Sequence, residues 1–334
     1  MNILVIKQTS LGDVLHSTGH IKAIKAKYPD SRLTLLTADS SADLFRDNPN
    51  VDELILFERY RVKRDWWRHP LWTLGHFKDT LKRVRVTEYD LAIDLQGRWK
   101  SVLFLYAART RRRIVKGRWP FVEGFRDRRL HALDEMDRVL TLAGIDSDDT
   151  RMELFISDEV IARAKTKLRE SGWDGLPYVI FSPFTRWPSK NWKTEGFTHL
   201  AAALQGRCAV VISGARSDQE VASQFVNDND LTSVINLCGE LDLNEFAAIV
   251  SAAQAVISGD SFAMHLAVAC NTPVVALFGP TDETRVGPSG QAVILRGPAP
   301  CVRCYRMNCE KRCIDSIEPV DILKALDSLS VCTE

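Results

Sequence analysis

"AVISGDSFAMHLAVACNTPVVALFG", residues 255–279, carries the reading from which the fold follows. Its first six residues are a mostly apolar run closed by Gly259-Asp260, and 273–279 is a second, closed by Gly279. Between them lies an apolar helical stretch that Asn271-Thr272-Pro273 turns sharply. Strands apolar on both faces belong to parallel sheets covered by helices. Ser261–Thr281 lacks Asp, Glu, Lys and Arg and is long enough to span a bilayer. The Asn-Thr-Pro turn in its middle makes it a buried helix and a buried strand instead.

The same alternation runs outward in both directions. Apolar runs predict strands over 2–6, 32–37, 53–57, 90–95, 112–116 and 152–156, then over 178–183, 208–213, 233–238, 255–260, 273–279 and 291–296. Helical periodicity marks 158–170 through Val160, Ile161, Ala164 and Leu168, and 194–204 through Phe197, Leu200, Ala201 and Leu204. Two such series exceed one ordinary sheet, and the Gly/Pro-bearing stretch 170–177 is the expected link. The fold class is α/β: two Rossmann-like, doubly wound domains, 1–170 and 178–334, facing across a cleft, with the last helix free to pack back on the first. Ligands of such sheets bind at the carboxyl ends of strands.

Composition fits a soluble globular chain: 334 residues, 45% hydrophobic, 26% charged, formal charge +1. Eleven Lys/Arg face two acids between Arg98 and Arg129, so the rest of the chain is acidic and the basic character is one patch. Lys7 and Asp13 interrupt any signal-peptide core, and a cytoplasmic location is expected. Cys208, Cys238, Cys270 and Cys332 are scattered, mostly in apolar contexts, as reduced thiols would be.

Four loops offer chemistry. The first, after strand 2–6, holds Ser10, Gly12 and Asp13 and matches neither G-x-G-x-x-G nor a P-loop. Asp13 there reads as a helix cap or a functional carboxylate. "SPFTRWPSKNW" (182–192) supplies the hydroxyls of Ser182 and Thr185 and then Lys190, a point charge suited to phosphate. "SGARSDQE" (213–220) has Gly214 at a strand end and Glu220 either in a capping box with Ser217 or facing ribose hydroxyls. In the opening stretch, Asp260, Ser261 and His265 lie at or within a turn of a helix start, whose N–H groups suit a phosphate.

"SLGD" (10–13), "DLQG" (94–97), "SPFTRWPSKNW", "GDSFAMHLAVACNTPVVALFGPTD" (259–282) and a Cys-rich tail, in that order, resemble the bacterial ADP-heptose:lipopolysaccharide heptosyltransferases. The resemblance spans nearly the whole chain. It implies a GT-B fold whose N-terminal half takes the acceptor and whose C-terminal half takes a nucleotide sugar. It also implies inverting transfer from ADP-heptose to a phosphorylated glycolipid, the lipopolysaccharide inner core, at the inner membrane face, with no cofactor required. Asp13 is then the general base. Lys190 stabilises the leaving diphosphate, and Ser10, Gly12, Ser182, Thr185, Gly214, Glu220, Asp260, Ser261 and His265 bind the donor. Arg111, Arg112 and Arg113 of the basic patch meet the acceptor, and Trp66 and Trp67 of the aromatic-basic segment 59–72 assist at the membrane. No nucleic-acid module is recognised. Two departures stand out: Ser261-Phe262 replaces the family's Thr-Gly, and "HSTGHIKAI" (16–24) lacks the usual Pro. A non-catalytic nucleotide-sugar or polyanion-binding protein is the competing reading, and a sugar-nucleotide epimerase of the same architecture is a third.

"CVRCYRMNCEKRC" (301–313) spaces Cys301, Cys304, Cys309 and Cys313 as C-x2-C-x4-C-x3-C. The candidates are a structural zinc or an iron–sulfur cluster, reduced thiols, or disulfides.

Overall fold

The computed structural model describes residues 1–228, 234–298, 301 and 303–332. Ser233, in one expected strand, and Val302, in the Cys-rich segment, lie outside the described residues. The chain divides into two compact units, Met1–Phe155 and Ile156–Glu334.

The first unit runs β1 (Asn2–Ile6), α1 (Leu11–Leu15), α2 (Ser17–Lys27), β2 (Arg32–Ala38), β3 (Glu53–Phe57), α3 (Arg59–Asp65), α4 (Pro70–Val86), β4 (Glu88–Asp94), α5 (Trp99–Ala107), β5 (Arg109–Lys116), β6 (Glu123–Phe125) and α6 (Ala132–Leu142). Its six strands are parallel, in the order β3-β2-β1-β4-β5-β6. The second unit runs α7 (Asp158–Glu170), β7 (Tyr178–Ser182), α8 (Thr194–Leu204), β8 (Ala209–Ile212), α9 (Gln219–Asp228), β9 (Val234–Asn236), α10 (Leu243–Ser251), β10 (Ala255–Gly259), α11 (Phe262–Ala269), β11 (Val274–Phe278), α12 (Glu283–Val286), β12 (Ala292–Arg296) and α13 (Pro319–Ser328). Its parallel order is β12-β11-β10-β7-β8-β9. Each sheet grows outward from its first strand, then returns to add strands on the other side. The winding therefore reverses between β1 and β4, and between β7 and β10, and a crevice at the carboxyl ends is the geometric result. The expected doubly wound α/β class is what the chain adopts.

Burial explains the sequence pattern. β1, β7, β10 and β11 carry apolar side chains on both faces because helices cover both. In the first unit, Phe57 of β3 meets Phe77 of α4 and Phe104 of α5 edge-on at 5.9 and 5.4 Å, so α4 and α5 share one side of the sheet. In the second, Trp192, Phe197 and Leu200 join Ile314, Ile322 and Leu326 in one core.

Several expectations need correcting. Residues 152–156 are not a strand; the sixth strand of the first unit is Glu123–Phe125. The 150–155 stretch straps α2 instead: Glu153 N donates to Thr18 Oγ1 at 3.0 Å, and a Cβ on Gly19 would fall 2.1 Å from the Thr150 carbonyl oxygen. The boundary between compact units precedes α7, so the 170–177 link lies inside the second unit. α7 is tied to α10, where Arg163 and Lys167 reach Glu245 at 2.7 and 2.6 Å. The last helix, α13, packs against α8, β11 and β12 of its own unit. Cys208 and Cys332, expected as separate thiols, form a disulfide with Cα atoms 5.9 Å apart.

Candidate functional site

At the first reversal, Ile6 of β1 pairs with Asp94 of β4, so the loops after both strands lie side by side. The "DLQG" residues build that junction. Asp94 accepts from the N–H of Gln96 at 2.8 Å, the N–H of Gly97 at 3.0 Å and Ser101 Oγ at 2.7 Å. Gln96 Oε1 stitches the neighbouring loop, accepting from Thr9 N at 2.9 Å and Gln8 N at 3.3 Å. Gly97 has φ +64°, and a Cβ there would lie 1.5 Å from the Lys116 carbonyl oxygen. Into this junction α1 brings Asp13, whose Oδ2 accepts from Ser10 N at 2.9 Å and Ser10 Oγ at 2.8 Å. The carboxylate caps the helix. An ionised carboxylate offers about four acceptor positions, so capping and proton acceptance are compatible.

A buried pair of charges lies beneath. Lys7 is 3% exposed, and its Nζ donates to the Leu95 carbonyl at 3.3 Å. Burial pulls the Lys7 ammonium down to about 8, against the opposing pull of Asp13. Burial likewise pushes Asp94 up to about 6, although Gly97, Ser101 and Gln96 all donate to it.

At the second reversal, the loop after β7 folds on itself: Thr185 N and Oγ1 each donate to Asn191 Oδ1 at 2.8 Å. This presents Lys190, whose Nζ donates to Asp260 Oδ2 at 2.6 Å and to the Asp260 carbonyl at 3.3 Å, and stands 4.6 Å from the Trp187 ring centre. Gly259 permits the closure, because a Cβ there would lie 2.7 Å from the Lys190 carbonyl oxygen. Ser261 is the extended N-cap of α11, its hydroxyl 2.7 Å from that of Ser258. The Phe262 ring contacts Phe246 of α10 at 6.5 Å, so the bulk that replaces the family's Gly is taken up on the α10 side. His265 is buried in α11.

The Cys-rich segment braces this loop. Ser189 N donates to the Met307 carbonyl at 3.2 Å and Ser189 Oγ to that of Arg306 at 2.6 Å. Arg312 Nη2 donates to the Asn191 carbonyl at 2.8 Å, and Trp192 Nε1 to that of Ile317 at 2.9 Å. Cys301, Cys304, Cys309 and Cys313 are free thiols. Burial, then the three other thiols, pushes the Cys313 thiol up. Among the described residues no group of three or more His, Cys, Asp or Glu side chains is arranged to hold a metal ion.

The structure brings Ser10, Gly12 and Asp13 together at the first reversal, and Ser182, Thr185, Lys190, Asp260 and Ser261 at the second. Gly214 lies two residues beyond β8 and packs tightly; a Cβ there would lie 2.9 Å from the Phe184 ring. The capping box expected at Ser217 and Glu220 is absent: Asp218 accepts from Ala215 N at 2.8 Å, and Glu220 is exposed. Arg111–Arg113 occupy the middle of β5, short of the carboxyl edge that holds Asp13. Arg112 pairs with Glu123 at 3.0 Å, and Arg113 Nη2 donates to the Ala108 carbonyl at the end of α5 at 2.7 Å. The sequence reading missed Gln8, Gln96, Ser213, Thr281 and Arg296. Gln8 Nε2, Ser213 Oγ and Thr281 Oγ1 are buried without a hydrogen-bond partner among the described residues. All three follow parallel strands, where an incoming ligand would meet them. Arg296 clamps the loop after β11, donating to the Gly279 and Thr281 carbonyls at 2.6 Å each. Their signal was position, one to three residues beyond an apolar run, for all but Arg296, which ends its own strand.

The pattern of glycosyltransferase family 9 (heptosyltransferase) matches residues 78–315. The chain is 28% identical over 327 residues to lipooligosaccharide heptosyltransferase 2 of Haemophilus ducreyi, covering 89% of this chain and 88% of that one. Its fold is similar to that of a glycosyl transferase family 9 protein from Veillonella parvula, with TM-score 0.86 and 22% identity over 98% and 96% of the two chains. It is also similar to E. coli heptosyltransferase WaaC with ADP-2-deoxy-2-fluoro heptose, with TM-score 0.76 and 20% identity over 98% and 99%.

Proposed function

The chain belongs to glycosyltransferase family 9 (heptosyltransferase), and on that premise we propose that it transfers heptose, with inversion, from ADP-heptose to the lipopolysaccharide inner core. The observation that carries the donor half is Lys190, held by Asp260 at the mouth of α11. An ammonium has three N–H donors. Asp260 takes two, and the third, with the N–H groups behind Ser261, is directed to the donor diphosphate. Ser182, Thr185, Gly214 and His265 shape that pocket, and Glu220 faces the ribose hydroxyls. The solved WaaC complex with an ADP-heptose analogue and the lipooligosaccharide named for the Haemophilus relative support this choice of donor and acceptor.

In the transfer, an acceptor hydroxyl oxygen bonds to the anomeric carbon as the carbon–oxygen bond to the diphosphate breaks. The proton passes to Asp13, and the bonding pair leaves with ADP. Negative charge grows on the diphosphate, where Lys190 and the α11 N–H groups offset it. Ser10 and Gly12 hold the Asp13 loop. The exposed guanidinium of Arg111 supplies attraction for acceptor phosphates. Among the described residues no helix is long and apolar enough to cross a membrane; a cytoplasmic protein resting on the inner membrane face fits a glycolipid acceptor. A structural zinc at Cys301–Cys313 would stiffen the loop brace and take no part in transfer; near one equivalent by elemental analysis supports it, and less than about a tenth rejects it.

The deciding experiment supplies ADP-heptose and UDP-, GDP- and CMP-sugars in parallel with deacylated core acceptor. ADP release that needs acceptor and ADP-heptose is expected. Release from another donor, or none with active acceptor, rejects the reading.

A further inference from the structure

The helical layer over one side of the first sheet turns an unusual surface outward. α4 and α5 bury Phe77 and Phe104 against Phe57. Their outer sides should be polar throughout, as surface helices are. Instead Trp66 and Trp67, at the turn between α3 and α4, are 62% and 61% exposed, and Leu71 at the start of α4 is 85% exposed. Leu74 follows on α4, and Trp99 and Leu103 stand exposed one turn apart on the neighbouring α5. Single exposed apolar side chains are ordinary; these share the outside of one helical layer.

The polar residues around them have one sign. Residues 59–86 hold nine Lys/Arg against Asp65 and Asp79, and Asp65 is buried and paired with Arg64 at 2.8 Å. Past Leu74 the outer row of α4 continues as Lys78, Lys82 and Arg85, which line a shallow depression of about 410 Å³. The Arg68 guanidinium lies 4.7 Å over the Trp67 ring centre. Tryptophan beside arginine and lysine is the composition of a membrane–water boundary, with rings at headgroup depth and cations on lipid phosphates. A protein partner would instead find charge at the centre of the contact, where interfaces are depleted of it.

We propose that the outer face of α3, α4 and α5 docks on an anionic phospholipid bilayer, Trp66 and Trp67 entering the headgroup layer while Lys78, Lys82 and Arg85 meet phosphates. Trp99 is three residues beyond Gln96, the side chain that stitches the Asp13 loop. The docking face thus begins at the rim of the proposed acceptor loop, where a lipid-anchored sugar would arrive. In that respect the inference deepens the glycolipid reading above, but vesicle binding is measured without donor or acceptor.

The test is flotation of the full chain with vesicles of phosphatidylcholine alone and of phosphatidylcholine mixed with phosphatidylglycerol. Binding to the mixed vesicles only, weakened by salt, is expected. Trp66→Ser/Trp67→Ser should weaken it about tenfold or more, and Lys78→Glu/Lys82→Glu/Arg85→Glu should abolish it. Both variants should retain wild-type circular dichroism and full turnover on deacylated acceptor. Equal binding to both vesicle types, or mixed-vesicle binding indifferent to either variant, overturns the proposal. So does a wild-type dimer that the tryptophan variant dissociates, which would mean that a second copy covers this face. Absent vesicle binding with intact turnover removes the docking face and leaves the transfer reading standing; vesicle binding without turnover does the reverse.

Discussion

At Asp13 the cap and the proposed base share one carboxylate, so the informative substitution keeps the cap. Asn still accepts from Ser10 but takes no proton at neutral pH. Asp13→Asn should leave donor affinity nearly unchanged, measured by calorimetry, and lower turnover by roughly 10²–10⁴-fold; near-normal turnover would reduce Asp13 to its capping role. Lys7 makes a different prediction, about stability. Its ammonium titrates near 8 in the fold instead of 10.5. Below pH 8 both folded and unfolded chains hold the proton, and the fold bears the full cost of the buried charge. As pH rises from 8 to 10.5 the folded chain gives up its proton first and the cost disappears. Lys7→Met should therefore stabilise the protein at pH 7 by up to about 3 kcal/mol, with the advantage lost by about pH 10.5. Urea unfolding at both ends of that window checks it, and an advantage independent of pH would contradict it.

Among elements, the α7–α10 contact is strongly electrostatic. Glu245, whose side chain is 1% exposed, takes Arg163 and Lys167 at once. Burial pushes its carboxyl up, but Lys167, the Asp242 N–H and Arg163 together hold it below its ordinary value. Its contribution is thus complete above the ordinary carboxylate range and fades as pH falls through the lower folded value. Glu245→Gln should cost about 1–3 kcal/mol at pH 7, less than a fully buried pair because both cations reach water. The gap between variant and wild type should begin to narrow below about pH 4.5 and close only as pH falls through the lower folded value, as chemical denaturation at pH 7 and at successively lower pH would show. Elements of this kind differed in how readily they could be seen in the sequence. α7 and α8 fall on the expected 158–170 and 194–204 because one apolar face at helical spacing decides them. Glu123–Phe125 hid because three residues around a glycine have no period. Residues 152–156 misled because an apolar strap against α2 looks like a strand until its partner, Thr18, is known. At the site, loop chemistry pointed to Lys190 and Asp260 separately. Their pairing across 70 residues needs the strand order, which no local pattern encodes.

Across the whole molecule, two long-range ties shape the second unit. One is Cys208–Cys332, closing a loop of 124 residues. Cys332→Ser should lower the stability of oxidised protein by about 2–4 kcal/mol; dithiothreitol should bring the wild type down to the variant, and equal melting of the two without reductant would contradict it. The other is the brace on the Lys190 loop, whose hydrogen bonds span 117 to 125 residues. That distance has a meaning in time. At roughly 5–20 residues per second of synthesis, about 6–23 s pass between the emergence of Ser189 and that of Arg306. During that interval the first unit and most of the second sheet can form while the Lys190 loop lacks its brace. A chain cut or stopped short of residue 306 would have all the strand sequences yet lack these ties, together with Ile314, Ile322 and Leu326 of the second core. The setting of that loop is thus a late event in the life of the nascent chain and, on its proposed role, donor affinity is a stricter measure of complete synthesis than secondary structure.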